Sequence, residues 1–183
     1  SRSRLLGHFV ELGFYTGIRS QEMLGLEWRR VDLHQRLLYL PPATNKSARH
    51  VSVPLNQRAY QVLLQLAAYR AEYCPGTPWV FWRANGERLQ SVKKGFRAAC
   101  EKAGIEDFTP HDLRHTCAAW LVQAGVSLYR VRDLLRHTSI QVTERYAHLA
   151  PDQVREAVAA LDERHDPVTP PEGGAQSEME EIS

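Results

Sequence analysis

The sequence is poor in cysteine. Cys74, Cys100 and Cys117 are the only three among 183 residues, they are widely spaced, and no two form a C-x-x-C pair. Disulfide frameworks and zinc ribbons need an even or closely paired set of cysteines. The sequence therefore supports neither, and we expect the three thiols to be reduced residues that pack inside the protein.

Long hydrophobic runs are also lacking. No stretch approaches the roughly 18 consecutive apolar residues that a membrane helix needs, and the first residues lack the apolar core of a signal peptide. The apolar fraction of 43% is nevertheless ordinary for a globular domain with a sizeable core. We therefore expect a protein without a membrane span, with the cytoplasm as its default location.

The charge is unevenly distributed along the chain. Residues 162–183 contain seven acidic residues and one arginine, whereas the first 161 residues contain 22 basic and 14 acidic ones, a net charge of +8. The acidic segment is also rich in proline and glycine, which is typical of a disordered tail. The basic part fits a polyanionic partner, but an ordinary solvated surface with a solubilising tail explains the same charges. Charge alone leaves both explanations open.

Hydrophobic periodicity predicts helices and one hairpin. Leu5 to Phe14 fit an amphipathic helix that ends at Gly17, and the β-branched or aromatic runs 37–41 and 50–55 flank a polar segment, as in a hairpin. A short apolar run at 79–82 ends at the turn signal Asn85-Gly86. Further helices are expected from about Ser20 through Trp28 and at about 56–71, 90–103, 127–136, 139–147 and 151–163. The predicted fold class is mainly α with a small antiparallel β-hairpin sheet (α+β).

One more helix has a well-defined start signal in "TPHDLRHTCAAWLVQAG". Thr109 is expected as its N-cap, Pro110 as its first helical residue, and Asp112 as the acid that reaches back in a capping box. His111 and Arg114 follow three positions apart and therefore share a face. A guanidinium fork and an imidazole at a helix start suit a phosphate. The alternative is a partly exposed histidine beside an arginine in a surface ion pair.

His115 lies four positions after His111, which is the spacing of two zinc-binding histidines on a helix. The metalloprotease form of this motif needs glutamate directly after the first histidine, and this chain has Asp112 there. Arg114 would also place a positive charge beside the metal. A metal-dependent hydrolase is therefore a remote alternative, and we expect His115 to be buried or to support other residues.

Two further cations carry little information individually. Arg19 lies between the predicted first helix and the second, in a constrained turn after Gly17, and Lys46 lies near the tip of the predicted hairpin. Turn and loop cations of this kind are usually only solvated. They gain meaning from their combination with the other residues.

Residues 125–146 also fit two helices joined by a short turn at His137-Thr138. This spacing resembles a helix-turn-helix, whose second helix would contact DNA bases through Ser139, Gln141 and Thr143. A non-catalytic DNA-binding regulator is therefore a serious alternative. It explains the basic charge but gives no common purpose to the arginines and histidines named above.

Four stretches together resemble the catalytic domain of the tyrosine recombinase or phage integrase family. They are "YTGIRSQEMLGLEWRRVDL", "TNKSARHVSVPL", "TPHDLRHTCAAWLVQAGV" and "LLRHTSIQVTERYAHL". Their order and spacing make the resemblance specific, and it runs from the first residues to about Leu161. It implies the fold of a tyrosine recombinase catalytic domain over residues 1–161, followed by the acidic tail at 162–183. It also implies that the family's N-terminal core-binding domain is absent from this chain.

The resemblance assigns roles residue by residue. Two arginines would hold the non-bridging phosphate oxygens, His137 would donate a further hydrogen bond, and His111 would accept or relay the nucleophile's proton. Lys46 would protonate the departing 5′-oxygen, and Tyr146 would be the nucleophile. Glu22 matches an acid that supports the first arginine. The implied catalytic set is Arg19, Lys46, His111, Arg114, His137 and Tyr146.

The implied reaction is cleavage and rejoining of double-stranded DNA at a specific recombination site through a 3′-phosphotyrosine. The phosphotyrosyl bond conserves the energy of the phosphodiester, so no ATP is expected. No metal or other cofactor is expected either, because cationic side chains take the place of a two-metal site. The resemblance further implies a bacterial or phage-encoded protein near the nucleoid that acts as a homotetramer on DNA. Residues 151–163 would dock on a neighbouring protomer or on their own domain.

Two positions depart from the family pattern. Arg136 stands where glycine usually precedes the second histidine, and Cys117 stands where phenylalanine is common. The arginine adds a bulky charge close to the predicted site, whereas the cysteine is expected to be a packing change only. The resemblance does not explain Arg136.

Overall fold

The computed structural model describes residues 2–41, 51–151 and Val158. By its internal contacts the chain divides into two units, residues 1–151 and 152–183. In the second unit, Val158 is helical and exposed. The architecture that follows is that of the first unit. Within the described part of the chain, no helix is both long and apolar enough to cross a membrane.

The first unit is mainly helical with one small sheet, which confirms the predicted fold class. Its helices are α1 (Arg2–Thr16), α2 (Ser20–Leu24), α3 (Gln57–Tyr73), α4 (Lys93–Ala103), α5 (Asp112–Gln123), α6 (Leu128–Leu135) and α7 (Gln141–Glu144). Its strands are β1 (Val31–Asp32), β2 (Leu37–Leu40) and β3 (Val51–Pro54), and two 3₁₀ turns span Trp28–Arg30 and Ala147–Leu149.

The sheet has three antiparallel strands in the order β1-β2-β3. The predicted hairpin is present, with Leu38 opposite Val53, but Val31 also lies opposite Leu38 on the other side. Periodicity cannot reveal β1 because a strand of two residues contains no alternation. The segment that joins β2 to β3 includes Lys46, whose predicted place at the hairpin tip lies outside the described residues.

The second predicted helix is shorter than expected. α2 ends at Leu24, and the chain passes through Gly25 into the 3₁₀ turn that starts at Trp28. The Gly25 amide donates to the carbonyl oxygen of Gln21 and the Leu26 amide to that of Met23, which closes the helix. The continuation through Trp28 was therefore wrong.

α5 also starts later than its sequence signal predicts. The regular helix begins at Asp112 with His111 as its N-cap, so Thr109 as N-cap and Pro110 as first helical residue were each wrong by two residues. The predicted capping contact of Asp112 is nevertheless present. Its carboxylate accepts hydrogen bonds from the Thr109 amide at 2.8 Å and from the Thr109 hydroxyl at 2.6 Å. The side-chain contact forms over a preceding turn of non-helical backbone.

Buried side chains form two separate clusters that meet along α5. The larger cluster contains α1, α3 and the sheet, with Phe9, Leu12 and Leu63 fully buried. The smaller contains six buried residues: Cys117, Ala118, Val122, Val131, Leu135 and Tyr146. Leu113 of α5 belongs to the larger cluster, so α5 contributes to both. Most of the predicted site lies where the two clusters adjoin.

Candidate active site

Arg114 is a buried arginine at the centre of the site. It projects from the first turn of α5, and 4% of its surface is exposed. Its Nη1 donates to the carbonyl oxygen of Gly17 at 2.7 Å, and its Nη2 donates to that of Leu135. The alternative of a surface ion pair was therefore wrong. The guanidinium ties the end of α1 to the end of α6.

The charge of Arg114 persists despite burial. Burial, followed by the neighbouring charges of Arg19 and Arg136, lowers the pKa of its guanidinium to about 10. A pKa of about 10 leaves the group protonated at neutral pH. The pocket therefore holds a permanent cation whose hydrogen bonds fix its position.

Arg19 lies at the N-terminus of α2, as its turn position predicts. Its Nη1 donates to Glu22 Oε1 at 3.3 Å, its backbone amide donates to Glu22 Oε2 at 3.1 Å, and its Nη2 donates to the carbonyl oxygen of Arg136 at 3.1 Å. Glu22 therefore contacts Arg19 in the way the resemblance implies. The Arg19 side chain remains 35% exposed, so it can still meet a ligand from solution.

The backbone of Arg136 explains why glycine is common at this position. Arg136 ends α6 in the left-handed region, at φ +56° and ψ +48°, where a side chain is disfavoured and glycine is not. Its amide donates to the Asp133 carbonyl, and the next amide, that of His137, donates to the Arg132 carbonyl, both at 3.1 Å. The Arg136 side chain turns inward and its Nη2 donates to Glu22 Oε2.

His137 is held by a buried hydroxyl. Its Nδ1 lies 2.8 Å from Thr143 Oγ1, and Thr143 is fully buried. Burial, followed by the charges of Arg114 and Arg19, lowers the pKa of His137 to about 4. The imidazole is therefore neutral at pH 7 in the unliganded protein.

The same contact weakens the helix-turn-helix alternative. Thr143 is one of the three residues that would read bases, and its hydroxyl is buried against His137 instead of being exposed. The second helix, α7, has only four residues, Gln141–Glu144, whereas the prediction extended it over 139–147. A one-turn helix offers too little surface to lie along a major groove.

Tyr146 is a buried tyrosine in hydrogen-bond contact with a histidine. It is 7% exposed, and its hydroxyl is bonded to Nδ1 of His115. Burial raises the pKa of the phenol, partly opposed by the charges of Arg145 and Arg114. Tyr146 is therefore protonated in the unliganded protein.

His115 is the site residue whose position sequence reasoning missed. Its ring contacts Tyr146 on one side and lies 4.6 Å, centroid to centroid, from the ring of His111 on the other, in an edge-to-face arrangement. Burial and then the neighbouring His111 lower its pKa, so the ring is neutral at pH 7. The four-residue spacing of the two histidines was the available signal, and His115 was expected to be buried or to support other residues, but its contact with Tyr146 was not predicted. Among residues 2–41 and 51–151, no group of three or more His, Cys, Asp or Glu side chains could hold a metal ion.

The structure brings most of the predicted set to one place. The charges of Arg114 and Arg19 both lower the pKa of His137, and the charge of Arg114 lowers that of Tyr146. His111, which is exposed, reaches Tyr146 through His115. Lys46 lies outside the described residues. The two residues that sequence reasoning did not place are the His115 imidazole and the Arg136 guanidinium.

Cys117 behaves as the packing residue that the sequence predicted. Its side chain is buried in the smaller cluster, and burial raises the pKa of its thiol to about 11. All three cysteines are free. The thiol therefore stays protonated and contributes volume beside Gly17, not chemistry.

Comparison with known proteins agrees with this geometry. The family model described as "Phage integrase family" matches residues 2–153. The chain belongs to the phage integrase family. Its curated relatives include the integrase of Salmonella phage P22, 35% identical over 166 residues, and the tyrosine recombinase XerC of Corynebacterium glutamicum, 29% identical over 150 residues. The aligned regions cover 84% and 81% of this chain but 41% and 48% of those relatives, so the chain spans less than half of their length.

Solved structures of the family share the fold. The catalytic domain of bacteriophage HP1 integrase superimposes with a TM-score of 0.62 at 24% identity, covering 90% of this chain and 83% of that one. The integrase of transposon Tn1549 in complex with transposon right-end DNA gives a TM-score of 0.72 at 21% identity, covering 87% and 59%. The described architecture is therefore the tyrosine recombinase catalytic-domain fold.

Proposed function

We propose that this phage integrase family chain is the catalytic part of a site-specific DNA recombinase that cleaves and rejoins strands through Tyr146. The observation that carries the proposal is the contact between the Tyr146 hydroxyl and a neutral histidine, beside a pocket that holds Arg19 and Arg114. A phenol is a weak nucleophile at neutral pH, so it needs a proton acceptor and a cationic phosphate site. The pocket contains both.

In the cleavage step, the Tyr146 oxygen attacks the scissile phosphorus. The phenolic proton passes to Nδ1 of His115, which the geometry favours over His111 as the first acceptor, and His111 is next in line for a proton relay. The bond from phosphorus to the 5′-oxygen breaks, and that oxygen takes a proton from Lys46. The products are a 3′-phosphotyrosine and a 5′-hydroxyl, with atoms and charge balanced.

Transition-state charge develops on the non-bridging oxygens. Arg114 is held by two backbone carbonyls and Arg19 by Glu22, so both cations are in place before the substrate arrives. Cations that are fixed in advance stabilise such charge without reorganising. His137 would add one hydrogen bond from its remaining ring nitrogen, Nε2. The step draws on neither ATP nor a metal, and attack by another 5′-hydroxyl reverses it.

Membership of the family supports a proposal for the substrate and the assembly. Related proteins have been solved bound to DNA, including XerH with its difH substrate and the Tn1549 integrase with transposon ends. For this chain we propose double-stranded DNA with a specific recombination site as the substrate and a homotetramer as the acting form. The net charge of +8 on residues 1–161 supports a polyanionic partner.

Covalent capture tests the proposal. The protein is incubated in EDTA with a pool of nicked duplexes, and protein–DNA adducts that survive denaturation are isolated and sequenced, which also reveals any target preference. Tyr146→Phe should abolish the adduct. Tyr129→Phe is the matched control, because Tyr129 is 64% exposed and lies in the neighbouring α6. An adduct that persists in Tyr146→Phe would refute the assignment of the nucleophile.

A further inference from the structure

We propose that Arg136 is a third phosphate-binding guanidinium, which contacts the same anion as Arg19 and Arg114. The inference rests on the proposed phosphate pocket and adds to it a residue at a position where the family pattern has glycine. It assigns a binding role to a side chain that would otherwise be only a strained helix cap.

The first observation is that the Arg136 guanidinium is buried but incompletely paired. Its side chain is 10% exposed, and Nη2 donates to Glu22 Oε2. Nε and Nη1 are inaccessible to solvent and have no hydrogen-bond partner among the described residues. Buried charged donors without partners are costly, so native proteins retain them chiefly where a ligand or water completes them. Nε–H and Nη1–H lie on different edges of the guanidinium and Nη2 belongs to both, so a phosphate beside either edge would meet one of the unpaired donors.

The second observation is the surplus of positive charge around these donors. Three guanidinium groups surround the single carboxylate of Glu22, which is hydrogen-bonded to Arg19 and Arg136. The charges of Arg19 and Arg136 both depress the pKa of Arg114, which shows that the three cations lie close enough to repel one another. A bound phosphate would supply the missing negative charge and an acceptor for an unpaired N–H of Arg136.

The backbone alone does not explain the arginine. Arg36 also adopts a left-handed conformation, at the same φ of +56°. Its guanidinium, however, is exposed, donates to Gln57 Oε1 at 3.1 Å and lies over the ring of Tyr60. Arg36→Gly therefore relieves the same backbone strain and removes the same charge, but leaves the pocket untouched. It is the matched control for Arg136→Gly.

The test measures binding of sulfate and of inorganic phosphate to the 183-residue chain at constant ionic strength, by calorimetry and by the rise in melting temperature. We expect Arg136→Gly to weaken binding about tenfold, as the loss of charge-assisted hydrogen bonds would. Arg36→Gly should bind like the wild type. Arg19→Gln should also weaken binding, which locates the anion in this pocket.

Each other result overturns the inference. If Arg19→Gln weakens binding and Arg136→Gly does not, Arg136 is only a cap, and the proposed function stands. If neither substitution matters, the anion does not bind here, and the proposed phosphate pocket fails as well. A double variant separates contact from positioning. If Arg136 contacts the anion directly, Arg136→Gly should weaken binding severalfold in the Arg19→Gln variant as well. If Arg136→Gly has no effect in that variant, Arg136 acts only by positioning Arg19.

Discussion

The imidazole Nδ1 of His115 is hydrogen-bonded to the phenolic oxygen of Tyr146, across 31 positions of sequence. Burial disfavours the charged form of both groups, so it raises the pKa of the phenol and lowers that of the imidazole. Both are therefore neutral at pH 7. The pair is a protonated phenol beside a neutral imidazole, which is the starting state that the proposed proton transfer requires.

His115→Gln should slow covalent adduct formation about 100-fold, because glutamine keeps a hydrogen bond to Tyr146 but cannot accept its proton. His111→Gln should have a smaller effect, about tenfold, since His111 reaches the phenol only through His115. Quenched time courses with nicked duplex DNA measure both rates. The reverse order of effects would restore His111 as the first acceptor.

Acidification should destabilise the protein through His137. Its pKa is about 4 in the folded state, against an ordinary value of 6.5 for histidine, so its contribution to stability is fully present above pH 6.5 and is lost as pH falls from 6.5 towards 4. Since the ring is only partly buried, we expect the loss to be about 1 kcal/mol at pH 5, or a few degrees in Tm.

Thermal melts at pH 7 and pH 5 check this. His137→Gln should lose less stability than the wild type on acidification, and His34→Gln, at an exposed histidine in the turn before β2, should behave like the wild type. Saturating sulfate should reduce the acid loss, because an anion beside His137 favours its protonated form. An acid response unchanged in His137→Gln would exclude this residue as its source.

Arg114→Lys should destabilise the fold by about 2–3 kcal/mol. A lysine keeps the charge, but its single ammonium cannot reach both carbonyl oxygens that the guanidinium joins, those of Gly17 and Leu135. Urea unfolding provides the measurement. Arg97→Lys, at an exposed arginine paired with Glu101, should change stability by less than about 0.5 kcal/mol. Equal effects of the two substitutions would mean that the two hydrogen bonds of the Arg114 guanidinium contribute nothing to the free energy of unfolding.

Gly17→Ala should cost about 3 kcal/mol. Gly17 has φ +62°, and an added Cβ would overlap the Leu135 side chain and approach Cys117 Sγ to 3.2 Å, so backbone strain and overpacking combine. Gly104→Ala isolates the backbone part, since Gly104 has φ +66° and an added Cβ there meets nothing within 4 Å. Its cost should be about 1 kcal/mol. Urea unfolding of both variants gives the difference, and similar costs would show that Leu135 and Cys117 move aside freely.

The sequence predicted the fold class because that class rests on strong local signals, whereas the set of site residues came from the resemblance to the family. The helix of Leu5 to Phe14 has a clear apolar face, and Gly17 and Gly104 stop their helices where the left-handed backbone requires glycine. The predicted pairing of the two hairpin strands also holds. These features depend on residues that are near one another in the chain.

The arrangement of the site residues depends on contacts between distant parts of the chain, which no local sequence pattern encodes. Glu22 contacts Arg136 across 114 positions, and Arg114 reaches Gly17 across 97. The choice of His115 over His111 as the neighbour of Tyr146 depends on how the end of α7 lies against α5, and both histidines share one helix face in the sequence. The sequence showed that Arg136 departs from the family pattern. It did not show that the side chain points inward, because that direction is set by the turn that ends α6.

The division of the interior into two clusters has a practical consequence for anyone who handles this protein. Tyr146 belongs to the cluster of six buried residues, whereas α2, which begins beside Arg19, packs into the larger one. A small hydrophobic cluster unfolds locally at a lower free energy than a large one. Warming can therefore separate Tyr146 from Arg19 while most helices remain folded. The helical signal in circular dichroism would then be unchanged in a sample that has lost the proposed activity. Residual activity is therefore the more sensitive measure of storage damage.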